Sequence, residues 1–143
     1  MTPEEARAKE TRGWLSKASE DLASARILAD SGYVSNALFL CEQTAEKSLK
    51  GFLTWHQSPF RRTHDIEELG NACAALDGSL VALVERADAL SDYAWKPRYP
   101  GPPYTPERQE MEAIFELASA VFSEIQARLP GEARALESHG DHQ

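Results

Sequence analysis

Apolar residues along this chain recur every three or four positions, and no stretch alternates every second one. That period is helical and gives no sign of a sheet. Thr2-Pro3-Glu4-Glu5 reads as a helix start, with Thr2 as N-cap, Pro3 in the first turn and Glu5 placed for a capping box. Trp14, Leu15, Ala18, Leu22, Ala25 and Leu28 continue that helix to about Ser31, where Gly32 ends it. A second helix is predicted over 34–56, with Ala37, Leu38, Cys41, Ala45, Leu49, Phe52 and Leu53 as its apolar stripe. The next residues, 57–62, turn around Pro59. Thr63 or Asp65 caps a third helix, with Asp65 and Glu68 spaced as a capping box and Asp77-Gly78 as its end.

A fourth helix is predicted from Ser79 to about Tyr93, with Leu80, Leu83, Val84, Ala87 and Leu90 inside. Pro97, Pro100, Pro102 and Pro103 bar any helix through 96–105. Thr105-Pro106 repeats the cap-plus-proline signal, and Ile114, Leu117, Ala118, Val121, Phe122, Ile125 and Leu129 form a fifth helix that Pro130-Gly131 stops. The pattern predicts one all-α domain over 1–130. Its expected form is an antiparallel up-and-down four-helix bundle of the first, second, fourth and fifth helices, with the short third helix capping one end. Residues 131–143 show no apolar period and are expected to be a mobile tail.

Composition adds limits. The 143 residues suffice for one domain with a real core. No apolar run approaches the roughly 20 residues of a membrane span, and the acidic N-terminus is unlike a signal peptide, so a cytoplasmic protein with no membrane partner is expected. Cys41 and Cys73 fall in apolar helical patterns and read as small buried thiols. The formal net charge of -8 argues against non-specific duplex binding. That charge is uneven. From Lys47 to His64 the chain holds Lys47, Lys50, Arg61 and Arg62 and no carboxylate. A local positive site on an acidic protein suits a small anion or short RNA better than a long duplex.

Three polar groups stand out. Gln43, Glu46, Lys47 and Lys50 share roughly one side of the second helix. Lys47 and Lys50 would offer ammonium groups to a phosphate, while Gln43 and Glu46 could instead be interior polar residues that bond another helix. His64 sits at a helix start, between Thr63 and Asp65, where free N–H groups favour an uncharged imidazole that acts as a base or a donor. The other reading there is a structural cap. Arg98 lies in a stiff loop, and Tyr99 and Tyr104 beside it have rings on which a base could stack; the same residues would also serve to tile the end of the bundle. Phosphate-loop, nucleophile-elbow and zinc-helix motifs are missing from the chain, and no metal or cofactor is expected.

Taken in order, these segments resemble the HEPN family. The resemblance runs from Trp14 to about Leu129 through Ala18-Ser19-Glu20-Asp21-Leu22, Gly32-Tyr33, Gln43-Thr44-Ala45-Glu46-Lys47-Ser48-Leu49-Lys50, Thr63-His64-Asp65-Ile66 and Arg98-Tyr99-Pro100. It implies a helical bundle that commonly forms a homodimer and is often encoded beside a minimal nucleotidyltransferase, the pair behaving as toxin and antitoxin. Many members are metal-independent endoribonucleases marked by Arg followed four to six residues later by His. Here no histidine follows Arg98 within six residues; Tyr104 does. Arg134 and His139 match the spacing, but beyond Pro130 and away from the family's position.

The leading expectation is therefore a nucleotide- or RNA-binding accessory domain, with Lys47, Lys50, His64, Arg98 and Tyr99 at the ligand and Gln43, Glu46 and Asp65 in structural roles. An endoribonuclease using His64 and Arg98 is the alternative. A dimerisation or scaffold module, in which Glu46, Lys50 and His64 only bond one another, is the third reading.

Overall fold

The computed structural model describes residues 1–98, 100 and 106–136; the side chain of Arg98 lies outside this set, as do Tyr99 and Tyr104. Described residues form five α-helices and no strand. Helix α1 spans Pro3–Asp30, α2 Val34–Trp55, α3 Ile66–Leu76, α4 Val81–Ala87 and α5 Arg108–Ala127.

Helix α1 starts as the sequence reads: Thr2 and Glu5 complete a reciprocal capping box. Its 28 residues make a rod of about 42 Å. The buried side is mostly small, with Ala8, Thr11, Ala18 and Ala25 around Leu15. Gly32 follows the helix at φ 91°, a left-handed turn that suits glycine.

Helix α2 is the centre of the molecule and packs mainly on α1 and α5. It is buried nearly all round, including Glu42, Thr44, Glu46, Ser48 and Lys50. Three of its hydroxyls are satisfied within the helix itself. Thr44, Ser48 and Thr54 donate to the carbonyls of Leu40, Thr44 and Lys50 at 2.9, 2.7 and 2.8 Å. Gly51 allows α1 to come close, because a Cβ there would meet Leu15 Cδ2 at 2.2 Å and Trp14 Cβ at 3.2 Å. Gly51→Ala is thus expected to destabilise the fold by about 1–3 kcal/mol, against the helix-propensity gain of about 1 kcal/mol that alanine brings elsewhere. Urea unfolding of the variant checks this; a rise in stability would contradict the close approach.

Two segments differ from the sequence pattern. The fourth helix was expected to be long, yet α4 has only 7 residues. A 3-10 turn precedes it at Gly78–Leu80, and a 3-10 stretch follows at Asp88–Ala94. The reason is the spacing of the buried residues: Ala87, Leu90 and Tyr93 recur every three positions, the 3-10 period. Ser91 also donates its hydroxyl to Asp88 at 3.2 Å, a local bond that competes with the α-helix. The fifth helix begins at Arg108 with Glu107 as its N-cap, not at Thr105-Pro106.

The expected mobile tail is packed over its first residues. Gly131–Ala133 forms a 3-10 turn with Ala133 buried. Arg12 donates to the Glu132 carbonyl, and Gln126 Oε1 accepts from the Ala135 amide at 2.9 Å. Residues 137–143, His139 included, lie outside the described set.

Candidate functional site

Glu46 lies midway along α2 with its side chain 2% exposed. Its Oε1 accepts from Lys50 Nζ at 2.8 Å and stands 2.8 Å from His64 Nδ1. Its Oε2 accepts from Gln43 Nε2 at 2.9 Å. The Gln43 amide also donates to Glu42 Oε1 at 2.8 Å, so one amide ties two carboxyls together. Lys50 Nζ stands 5.5 Å from the centre of the Trp14 ring, within reach of a cation–π contact.

His64 is set by its flanks. Asp65 is the N-cap of α3 and accepts from the Glu68 amide at 3.2 Å. The Asp65 amide donates to Thr63 Oγ1 at 3.0 Å, bridging across His64. That bond takes the place of the reciprocal half of the expected capping box. The Glu68 carboxylate instead accepts from Arg61 Nε at 2.9 Å.

A carboxylate only accepts, so the bond to Glu46 puts a proton on His64 Nδ1. The His64 side chain is 78% exposed. Nε2 makes no hydrogen bond among the described residues. The imidazole is therefore held at one nitrogen from inside the protein and open to solvent at the other, where it can accept a proton or, when charged, donate to an anion.

The four polar residues of α2 do not act as one face. Lys47 turns to α1 and bonds Asp21. Lys50 is 10% exposed at its side chain and bonds Glu46. Both ammonium groups thus have carboxylate partners within the protein. In the acid-free stretch Arg61 pairs with Glu68, while Arg62 is exposed and makes no ion pair among the described residues. Arg134, from the chance-like Arg–His spacing, donates to the Leu129 carbonyl at 2.9 Å. Expectations for Arg98, Tyr99 and Tyr104 as ligand groups fall outside the described side chains.

Glu42 is a member that the sequence reading passed over. It is fully buried, and its Oε2 has no hydrogen-bond partner. Burial first, then the neighbouring Glu46 charge, pushes its carboxyl up to about 8. Glu42 is thus held toward its neutral form at neutral pH. The available signal was the Glu42–Glu46 spacing: two acids four apart on a helix repel unless one is neutral. Burial also raises the thiols of Cys41 and Cys73 to about 12, leaving both unreactive. No group of three or more His, Cys, Asp or Glu among the described residues is arranged to hold a metal ion.

An all-helical domain whose central helix holds a solvent-facing histidine through a buried carboxylate is a helical module with a polar surface site. Its family is shown by the match of the HEPN domain model to residues 11–128: the chain belongs to the HEPN domain family. No curated protein and no solved structure matches the chain. No described helix is long and apolar enough to cross a membrane.

Proposed function

We propose that this HEPN domain binds the phosphate of a nucleotide or single-stranded RNA at His64 and Arg62, with Arg98 and Tyr99 as further ligand residues. The observation that carries this reading is the exposed imidazole whose Nδ1 is held at 2.8 Å by a buried carboxylate. A pre-oriented group loses less freedom on binding than a free one. Lys50 and Gln43 support this site by holding Glu46, and Lys47 ties α2 to α1. The ligand therefore meets the histidine rather than the two lysines.

Calorimetric titration with ATP, GTP and short single-stranded RNAs tests the reading. Wild type is expected to bind at least one of them, and His64→Ala to lose about tenfold or more in affinity. Lys47→Ala should bind within about threefold of wild type. If wild type binds none of these ligands, the reading is wrong.

The same imidazole supports a second reading, an endoribonuclease. With Nδ1 protonated, Nε2 can take the proton of a ribose 2′-hydroxyl. The oxygen then attacks the adjacent phosphorus, and the 5′-oxygen leaves with a proton from water, giving a 2′,3′-cyclic phosphate. Arg98 would stabilise the phosphate charge. Cyclic-phosphate ends that appear with wild type and not with His64→Ala would favour this reading over simple binding.

Family membership supports a wider setting for either activity. The domain would work in the cytoplasm as a homodimer of four-helix bundles, beside a minimal nucleotidyltransferase in a toxin–antitoxin pair. The third reading, a scaffold without ligand, draws on Glu46 bonding both Lys50 and His64; it does not account for the open side of His64.

A further inference from the structure

A groove of about 650 Å³ runs between the first turns of α1 and the end of α2, and His64 is not among its lining residues. Its volume falls in the usual range of small-molecule sites, about 300–1,000 Å³. Trp14, Phe60, Arg7 and Glu10 line it, with Thr54 and Ser58. The Trp14 and Phe60 rings meet edge to face, 6.3 Å between centres. The Arg7 guanidinium carbon sits over the Trp55 ring, 4.2 Å from its centre.

Arg7 is the unusual member. In a chain of net charge -8 it makes no ion pair and no side-chain hydrogen bond among the described residues. Its Nε is buried without a partner. Among the described residues the other arginine stacked on an aromatic ring, Arg26 over Phe115, is also paired to Glu112 through two bonds of 2.8 and 2.9 Å. Arg7 is therefore a guanidinium fixed in place by stacking, with its charge unanswered and aromatic surface close by. Such a set fits a phosphate joined to a flat base.

The groove is linked to the histidine site. Lys50 Nζ touches Glu46, which holds His64, and faces Trp14, which lines the groove. We propose that the groove is a second subsite for single-stranded RNA, stacking a flanking base on Phe60 and Trp14 and holding its phosphate on Arg7. Glu10 accepts from an amino group of that base. This inference rests on the RNA-binding reading of the His64 site and names its substrate as a strand of several nucleotides.

Fluorescence anisotropy at fixed salt, with a labelled dinucleotide and a labelled octanucleotide RNA, provides the test. Arg7→Gln keeps most of the stacked stem, and Phe60→Leu leaves charge unchanged; circular dichroism checks that both variants are folded. Wild type is expected to bind the octanucleotide about tenfold or more tighter than the dinucleotide. Both variants should bind the dinucleotide like wild type and lose most of that gain. If both keep the gain, or if wild type shows no gain with length, the subsite is refuted while the His64 reading stands. Loss of the gain in Arg7→Gln alone would point to bulk charge and would also refute it. If wild type binds neither RNA, the subsite falls with the RNA form of the His64 reading, and the titration with ATP and GTP decides its nucleotide form.

Discussion

Replacing Glu46 with alanine is expected to lower the free energy of unfolding by about 3–5 kcal/mol, the usual cost of leaving a buried charge without its partner. Lys50 would keep its charge with its side chain 10% exposed and lose the 2.8 Å contact that offsets its burial. The Gln43 amide would lose an acceptor at the same time. Urea unfolding measures the effect, and a fall of under about 1 kcal/mol would show that Lys50 reaches solvent without help. A second variant separates charge from packing. Glu46→Met combined with Lys50→Met removes both charges and keeps volume, so it should recover much of the loss. His64 would still lose its anchor, so this double variant should be stable yet bind RNA as weakly as His64→Ala does.

Glu42→Gln is expected to change how stability depends on pH. The folded state holds this carboxyl at about 8, above its ordinary value of 4.5. The sign follows from which state binds more protons. Between these values the unfolded chain ionises Glu42 while the folded chain keeps it protonated. Stability from this group is thus complete below about pH 4.5, falls as pH rises, and is lost once pH passes about 8. The slope approaches roughly 1.4 kcal/mol per pH unit, so the total is several kcal/mol. Glutamine cannot ionise, and its oxygen can still accept from Gln43. The variant should therefore match wild type near pH 5 and exceed it by about 2 kcal/mol or more near pH 8. Thermal unfolding at both pH values reads this directly. Parallel behaviour of the two proteins across that range would mean that Glu42 is ionised in the folded state.

Much of the helical layout was legible because its signals are local. Thr2-Pro3 with Glu5, Gly32 and Asp65 each act within a few residues of a helix end. The fourth segment misled because Leu80, Leu83, Val84, Ala87 and Leu90 suit an α-helix as well as a tighter one. The bend toward the 3-10 form shows only when Tyr93 and the Asp88–Ser91 bond are counted. The start of α5 was misplaced because Thr105-Pro106 carries a strong cap signal, while Glu107 makes no side-chain cap bond.

The site was legible in part. The Glu46–Lys50 bond follows from a spacing of four, and the sequence suggested it. The bond from Glu46 to His64 spans 18 positions and was offered only in the scaffold reading, because no periodicity encodes how the loop after α2 folds back. Lys47 looked equivalent to Lys50 until Asp21 on α1 was placed beside it. Arg7 had no local mark at all, because its significance lies in the stacking on Trp55 and in a partner it lacks. HEPN membership explains the order of the motifs; the orientation of His64 comes from tertiary contacts.

The central claim is that Glu46 holds the His64 imidazole so that its free nitrogen meets a phosphate. Nitrogen-15 spectra of the His64 side chain, recorded with and without saturating single-stranded RNA, test it most directly. The expected result is a proton on Nδ1 in the free protein, an Nε2 resonance that moves when RNA is added, and loss of both features in Glu46→Ala. An Nε2 resonance unchanged at saturating RNA, or a proton found on Nε2 alone, would contradict it.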